Sequence, residues 1–274
     1  MKLIIMTDME GCAGVLNFTD WVYPQGRYYE QGKAILTREV NAAIRGFREN
    51  GAGEILVLDG HGFGGLDLMR LDESVFYQRG FPGPYPIGIS GEYDAIAWVG
   101  QHAKSGTPFA HMAHTSSLDV LDLRVNGRSV GEFGMSAYIS AALGVKPLLA
   151  CGDLALCREA SELCPHIYTA WVKKGLDPGS GGECTPQEYE ARNLSAIHLH
   201  PAAAERKIYE AACLAARAFA ADPGAFSVPP LHGPYTVEID YRANCPGVST
   251  GKRYRHEEDL IAALNLSWED CAAP

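Results

Sequence analysis

An α/β fold is predicted for this 274-residue chain: α/β/α layers around a mixed, largely parallel sheet, with a smaller C-terminal α+β portion. Three observations carry the prediction. Short, continuous apolar runs recur, as in strands covered on both faces. A helical repeat separates the first two runs, which makes a βαβ unit. An Asn-Gly dipeptide later in the chain marks a hairpin and hence an antiparallel pair.

The first strand is residues 3–6, four apolar residues that run straight into Asp8 and Glu10 and a Gly-rich turn. Residues 31–50 read as a helix, because Leu36, Val40, Ala43, Ile44 and Phe47 fall on one face at helical spacing, and Asn50-Gly51 supplies the stop. Residues 55–58 form the second strand, followed by Asp59, His61 and four glycines. Residues 93–103 form a third core strand with a polar end at His102. Asn126-Gly127 is the hairpin signal, and it makes part of the sheet antiparallel. A helix from about Gly131 carries Met135, Tyr138, Ile139 and Ala142 on one side, and "KPLLACGD" is again strand-like. Asp153 is a natural N-cap for a helix over 154–163.

The pattern breaks at "KKGLDPGSGGECTP", where five Gly or Pro residues within 175–182 exclude regular structure. The expected division is therefore a catalytic α/β part, residues 1–174, and a C-terminal α+β portion, residues 175–274, packed separately or as part of the same unit. The latter holds an Ala-rich helical region interrupted by Pro201, a strand over 234–241 and a last helix over 257–264.

Composition narrows the function. A net charge of −10 argues against nucleic acid or an anionic membrane surface as partner. No run approaches a membrane span, and the apolar stretch before Asp8 is too short for a secretory leader, so the expected location is the cytoplasm. Eight cysteines (12, 151, 157, 164, 184, 213, 245 and 271) lack a CxxC pair and read as buried apolar residues or free thiols.

The informative feature is where acids and imidazoles gather. Carboxyl ends of parallel strands converge on one edge of an open sheet, where ligands bind. Here three strands deliver Asp8 and Glu10, Asp59 and His61, and His102 to that edge. Asp8 and Glu10, two residues apart on extended chain, point to one side. Buried anions need a partner, and no Lys or Arg adjoins them, so a divalent cation fits. Mixed carboxylate and imidazole donors suit zinc, manganese or iron better than calcium or magnesium. His111 and His114 follow about ten residues on. Glu132 opens a helix, where the dipole favours its charge; it reads equally as a ligand and as an ordinary first-turn acid.

In that order and spacing, "TDMEG", "DGHG", "GQHA", "AHT" and "GRSVGEFGMSAY" resemble the zinc-dependent D-aminopeptidases of the DppA type, over residues 1 to about 173. The resemblance implies that Asp8, Glu10, His61, His102 and Glu132 are metal ligands, with Asp8 able to bridge two ions. It implies zinc, with manganese or cobalt left open. The catalytic His falls on His114, in a loop one residue longer than the resemblance leads one to expect, which leaves His111 as a rival. Asp59 reads as an orienting partner for a ligand His or as a turn residue. The implied mechanism uses two metals roughly 3.5–4 Å apart that activate a bridging hydroxide, with His114 as acid or base. Implied too are small peptide or amide substrates with a free N-terminal amine, D-Ala-type residues among them, and a homo-oligomer, with a decameric ring one option. A non-catalytic dipeptide-binding protein and another metal-dependent amidohydrolase remain alternatives. A phosphoesterase ranks low, since the metal-edge blocks offer only Lys104, with Arg128 beyond the hairpin turn.

Overall fold

A computed structural model describes residues 1–81, 84–243 and 250–272. Two sheets carry the fold. In chain order the elements of the first half are β1 (Lys2–Thr7), α1 (Phe18–Trp21), α2 (Tyr29–Arg48), β2 (Glu54–Asp59), β3 (Phe76–Gln78), β4 (Ala95–Gln101), β5 (Val120–Val125), β6 (Arg128–Ser129) and α3 (Glu132–Ala142). There follow β7 (Lys146–Asp153), α4 (Leu154–Leu163), β8 (Tyr168–Gly175), α5 (Pro186–Arg192), β9 (Ala196–His198), α6 (Pro201–Ala221), β10 (Tyr235–Tyr241), β11 (Thr250–His256) and α7 (Leu260–Ala272).

The large sheet has the order β3-β2-β1-β4-β7-β8-β9 and is parallel except for β9. Its central strands are apolar on both sides because both faces are covered. On β1, Leu3 and Ile5 enter the core shared with α2 and α6, while Ile4 and Met6 enter the core shared with α3, α4 and α7. The predicted face of α2 is fully buried: Leu36, Val40, Ala43, Ile44 and Phe47 all have 0% exposure. Mixed, mostly parallel and layered, the sheet is of the class expected.

The hairpin at Asn126-Gly127 forms, with positive φ at both residues as a type I′ turn requires. It does not join the large sheet. β5 pairs instead with β10, more than a hundred residues away, in a second antiparallel sheet of order β11-β10-β5-β6. Residues 175–274 thus supply strands to both sheets, β9 to the large one and β10 and β11 to the small one, and α6 packs on α2. β8 runs through Lys173 to Gly175, so the Gly-rich break starts three residues later than its sequence suggests. Pro201 begins α6 rather than interrupting it, with His200 as N-cap accepting from Ala202 N at 3.2 Å. Asp153 caps α4 as expected, accepting from Ala155 N at 2.6 Å. Cysteines 12, 151, 157, 164, 184 and 213 are free thiols, and all but Cys184 are buried. Cys245 and the side chain of Cys271 lie outside the described residues. No described helix is long and apolar enough to cross a membrane.

Candidate metal centre

The carboxyl edge of β1, β2 and β4 is shaped by two glycines. Gly100 has φ +77°, and a Cβ there would run into the carbonyl of Asp8. A Cβ on Gly11 would meet the backbone of Gln101. Absence of both side chains lets the turn after β1 lie directly across the end of β4, where Asp8 N donates to Val99 O (3.0 Å) and Gly11 N to Gly100 O (2.7 Å). Asp8, Glu10 and His102 thereby reach one another.

Asp8 sits at the centre. Its Oδ1 accepts from Met9 N at 2.8 Å and lies 3.3 Å from His61 Nδ1. Its Oδ2 accepts from Gln101 Nε2 at 2.9 Å and lies 3.1 Å from His102 Nε2. One carboxylate therefore faces two imidazoles, one with each oxygen. Glu10 Oε2 comes within 3.2 Å of His61 Nδ1. Glu132, first residue of α3, places Oε1 3.6 Å from His102 Nε2 and 3.8 Å from His114 Nε2, while accepting from Ser116 N at 2.8 Å. Two donor groups result, Asp8–Glu10–His61 and His102–His114–Glu132, each with its ligand atoms within 4.8 Å of one another. All five predicted ligands and His114 are brought together.

The imidazoles are oriented by backbone carbonyls. His61 Nε2 is 2.8 Å from Val22 O, His102 Nδ1 3.0 Å from Ala103 O, and His114 Nδ1 3.0 Å from Met112 O. A carbonyl can only accept, so each of those nitrogens donates, and the other nitrogen of each ring is turned to the carboxylates. A proton or a cation must stand between those nitrogens and the carboxylate oxygens, because neutral imidazole nitrogens and carboxylates would present only lone pairs to one another. Glu10 Oε2 and His102 Nε2 are buried without a hydrogen-bond partner. This is the arrangement of metal-binding histidines, whose second nitrogen is fixed by a carbonyl or carboxylate. The donor set of three carboxylates, Asp8, Glu10 and Glu132, and two imidazoles, His61 and His102, fits zinc, with His114 beside it.

Electrostatics agree. Burial opposes protonation of His61, but Glu10 and Asp8 outweigh it and push the imidazole up to about 12. Burial likewise opposes charge on His102, yet Glu132 and Asp8 hold it well above its ordinary value. Burial alone would raise Asp8; the His102 and His61 imidazoles beside its two oxygens keep it well below the carboxylate range. Burial would raise Glu132 too, and His102 lowers it. The pocket demands positive charge, from protons or from a cation.

Above the donors lies a cleft of about 940 Å³, with Phe18, Tyr23 and Phe63 among its walls and Asp119 and Glu190 beside them. That size suits a small ligand. His114 lines this cleft and stacks on His102, with ring centroids 3.9 Å apart. His111 does not line it: the residue has 0% exposure and packs edge-on against His198. Asp59 does not touch the ring of His61. It accepts from Gly65 N at 2.9 Å and from Tyr77 OH at 3.1 Å, the turn role that was its other reading.

Sequence reasoning missed three residues that hold the Glu10 turn, Glu39 and Lys173 buried and His198 partly buried. Glu39 Oε1 accepts from Ala13 N (2.9 Å), His198 Nδ1 accepts from Gly14 N (3.1 Å), and Lys173 donates to Glu10 O. Glu39 was visible as an acid one residue from Val40 on the buried face of α2, but nothing in the sequence connected it to the turn.

Fold and site together define an α/β protein whose cleft floor carries a carboxylate and imidazole donor set of the metal-binding kind. The chain belongs to the D-aminopeptidase family of peptidases, whose model matches residues 1–246, well beyond Lys173. It is 33% identical over 179 residues to a D-aminopeptidase of Bacillus subtilis (strain 168); that stretch is 64% of this chain and 65% of the relative. Among solved structures it matches the Zn-dependent D-aminopeptidase DppA from Bacillus subtilis, described as a self-compartmentalizing protease. The TM-score is 0.82 at 24% identity, over 98% of this chain and 97% of the other.

Proposed function

We propose that this chain is a zinc-dependent aminopeptidase that removes the N-terminal residue of small peptides or amides, with D-Ala-type residues preferred. The observation that carries the reading is Asp8, whose two oxygens face His61 and His102, each with its remote nitrogen fixed by a carbonyl. Asp8, Glu10 and His61 would hold one ion, and Asp8, His102 and Glu132 the other. Zinc bound there supplies a Lewis acid for the scissile carbonyl and lowers the pKa of a water toward 7.

The chain's own groups do the rest. His114 is held by Met112 O with Nε2 toward Glu132, on the cleft side of the donors. From there it passes a proton to the leaving amine, which could not depart as an anion. Its stacking on His102 and edge contact with Phe18, with ring centroids 5.4 Å apart, keep the ring in place. Acidic groups beside the cleft attract a substrate ammonium, and the aromatic wall takes an apolar side chain. The one Lys or Arg among the described lining residues is Arg79, and its guanidinium donates to the carbonyls of Asp59, His61 and Gly62. That is poor provision for a phosphoester and supports the amide reading. Assembly into a homo-oligomer in the cytoplasm is part of the proposal; the structural relative's description as self-compartmentalizing supports the assembly.

Hydrolysis of D-Ala and L-Ala p-nitroanilides, with chelator and with zinc added back, tests it. Chelation abolishes turnover, zinc restores it, and the D substrate is faster. Turnover indifferent to chelator would overturn the zinc reading, and a faster L substrate would overturn the stereochemical preference.

A further inference from the structure

The turn that carries Glu10 leaves β1, crosses the end of β4 and comes down on β8, two strands further along the sheet. Lys173 meets it there. This side chain is completely buried, at 0% exposure. Its ammonium donates to the carbonyl of Glu10 and, at 3.4 Å, to that of Val15, so one group closes both ends of the turn. Among the described residues no carboxylate forms an ion pair with it. Asp153, its partner in register on β7, directs Oδ1 to Ala155 N (2.6 Å) and Oδ2 to His111 N (3.2 Å).

Burying an ammonium without a paired carboxylate is costly, and a methionine would fill similar space without that cost. Packing does not explain the choice of lysine. What lysine alone adds is a donor with several protons, reaching two carbonyls five residues apart at the base of the ligand-bearing turn. The other fixed points, Glu39 on Ala13 N and His198 on Gly14 N, hold the middle of the turn and not the residue that carries the ligand.

We propose that Lys173 is a positioning residue for one half of the metal site. Its buried ammonium fixes the backbone of Glu10, so its loss weakens zinc held by Asp8, Glu10 and His61 and spares zinc held with His102 and Glu132. The inference rests on the two-zinc reading above.

Zinc titration of the full-length protein against a chromophoric chelator tests it, in the wild type, Lys173→Met and Lys173→Gln, with circular dichroism to confirm the fold. The wild type takes up two equivalents. In the variants one equivalent binds as in the wild type and the other about 10- to 100-fold more weakly, the usual scale for losing an orienting partner. A role in stability alone would lower the melting temperature and leave both binding steps unchanged, which overturns the proposal. Equal weakening of both steps, or failure of both variants to fold, also overturns it, because Lys173 would then act on the whole structure. Uptake of fewer than two equivalents by the wild type overturns the two-zinc reading and this inference with it.

Discussion

The two donor groups that meet at Asp8 are built differently. Asp8, Glu10 and His61 are closed in, with exposures of 6%, 5% and 4%, and their turn is fixed by side chains from α2, β8 and β9. In the other group His102 is just as buried, at 2%, but Glu132 and His114 open toward the cleft, with side chains 31% and 12% exposed. A closed, pinned group suits a cation that stays, and an open one suits a cation that meets substrate, as in zinc sites generally. The sheet explains the contrast. β1 and β2 end beneath a turn that folds back over the edge, whereas the first residue of α3 lies beyond the sheet, beside the cleft.

The largest effect should come from the residue common to both groups. Asp8→Ala removes an oxygen from each, so both zinc equivalents are lost and kcat/KM falls by about 10⁴-fold or more. Retention of one tightly bound equivalent would show that the groups do not share Asp8. Next is His114→Ala, with kcat lower by on the order of 10²- to 10³-fold. Its zinc content by elemental analysis stays that of the wild type, which separates a proton-transfer role from a ligand role. His111→Ala, by contrast, leaves kcat nearly unchanged, because that residue does not line the cleft.

Smaller effects belong to the support beneath the closed group. Gly11→Ala forces a Cβ against the backbone of Gln101 and should cost roughly 2–3 kcal/mol in urea unfolding. His111 supplies the smallest effect. Burial, with Lys173 nearby, lowers its pKa to about 2, so the folded protein holds it neutral. The unfolded chain takes up that proton near pH 6.5. The stabilisation is therefore complete above pH 6.5 and is lost as pH falls from there toward 2. Between pH 7 and pH 5 the wild type should lose about 2 kcal/mol relative to His111→Leu, as measured by denaturant unfolding at each pH.

Much of the centre could be read from strand ends. Asp8, Glu10, His61 and His102 follow apolar runs, and the rule that parallel strands converge at their carboxyl edge was enough to group them. Glu132 could be placed at a helix start but not joined to them without the family resemblance. The carbonyls of Val22, Ala103 and Met112, which set the imidazole tautomers, had no signal at all, because every residue type has a carbonyl. Lys173 was hidden by its neighbours: "KKG" before a Gly- and Pro-rich stretch reads as loop, and a register shift in the pairing of β8 with β7 buries Lys173 directly after Val172 and leaves Lys174 partly exposed. β11, "TGKRYRH", is polar and mostly exposed, so it lacks the alternation that reveals a strand. Its pairing with β10, and that of β10 with β5, is a long-range contact that local patterns do not encode.

The central claim is that Asp8 is shared by two zinc ions. Crystals grown with zinc and measured on both sides of the zinc absorption edge test it most directly. The account predicts two anomalous peaks, one against Glu10 and His61 and one against His102 and Glu132, with an Asp8 oxygen on each. A single peak, or two peaks of which either lies away from Asp8, would contradict it.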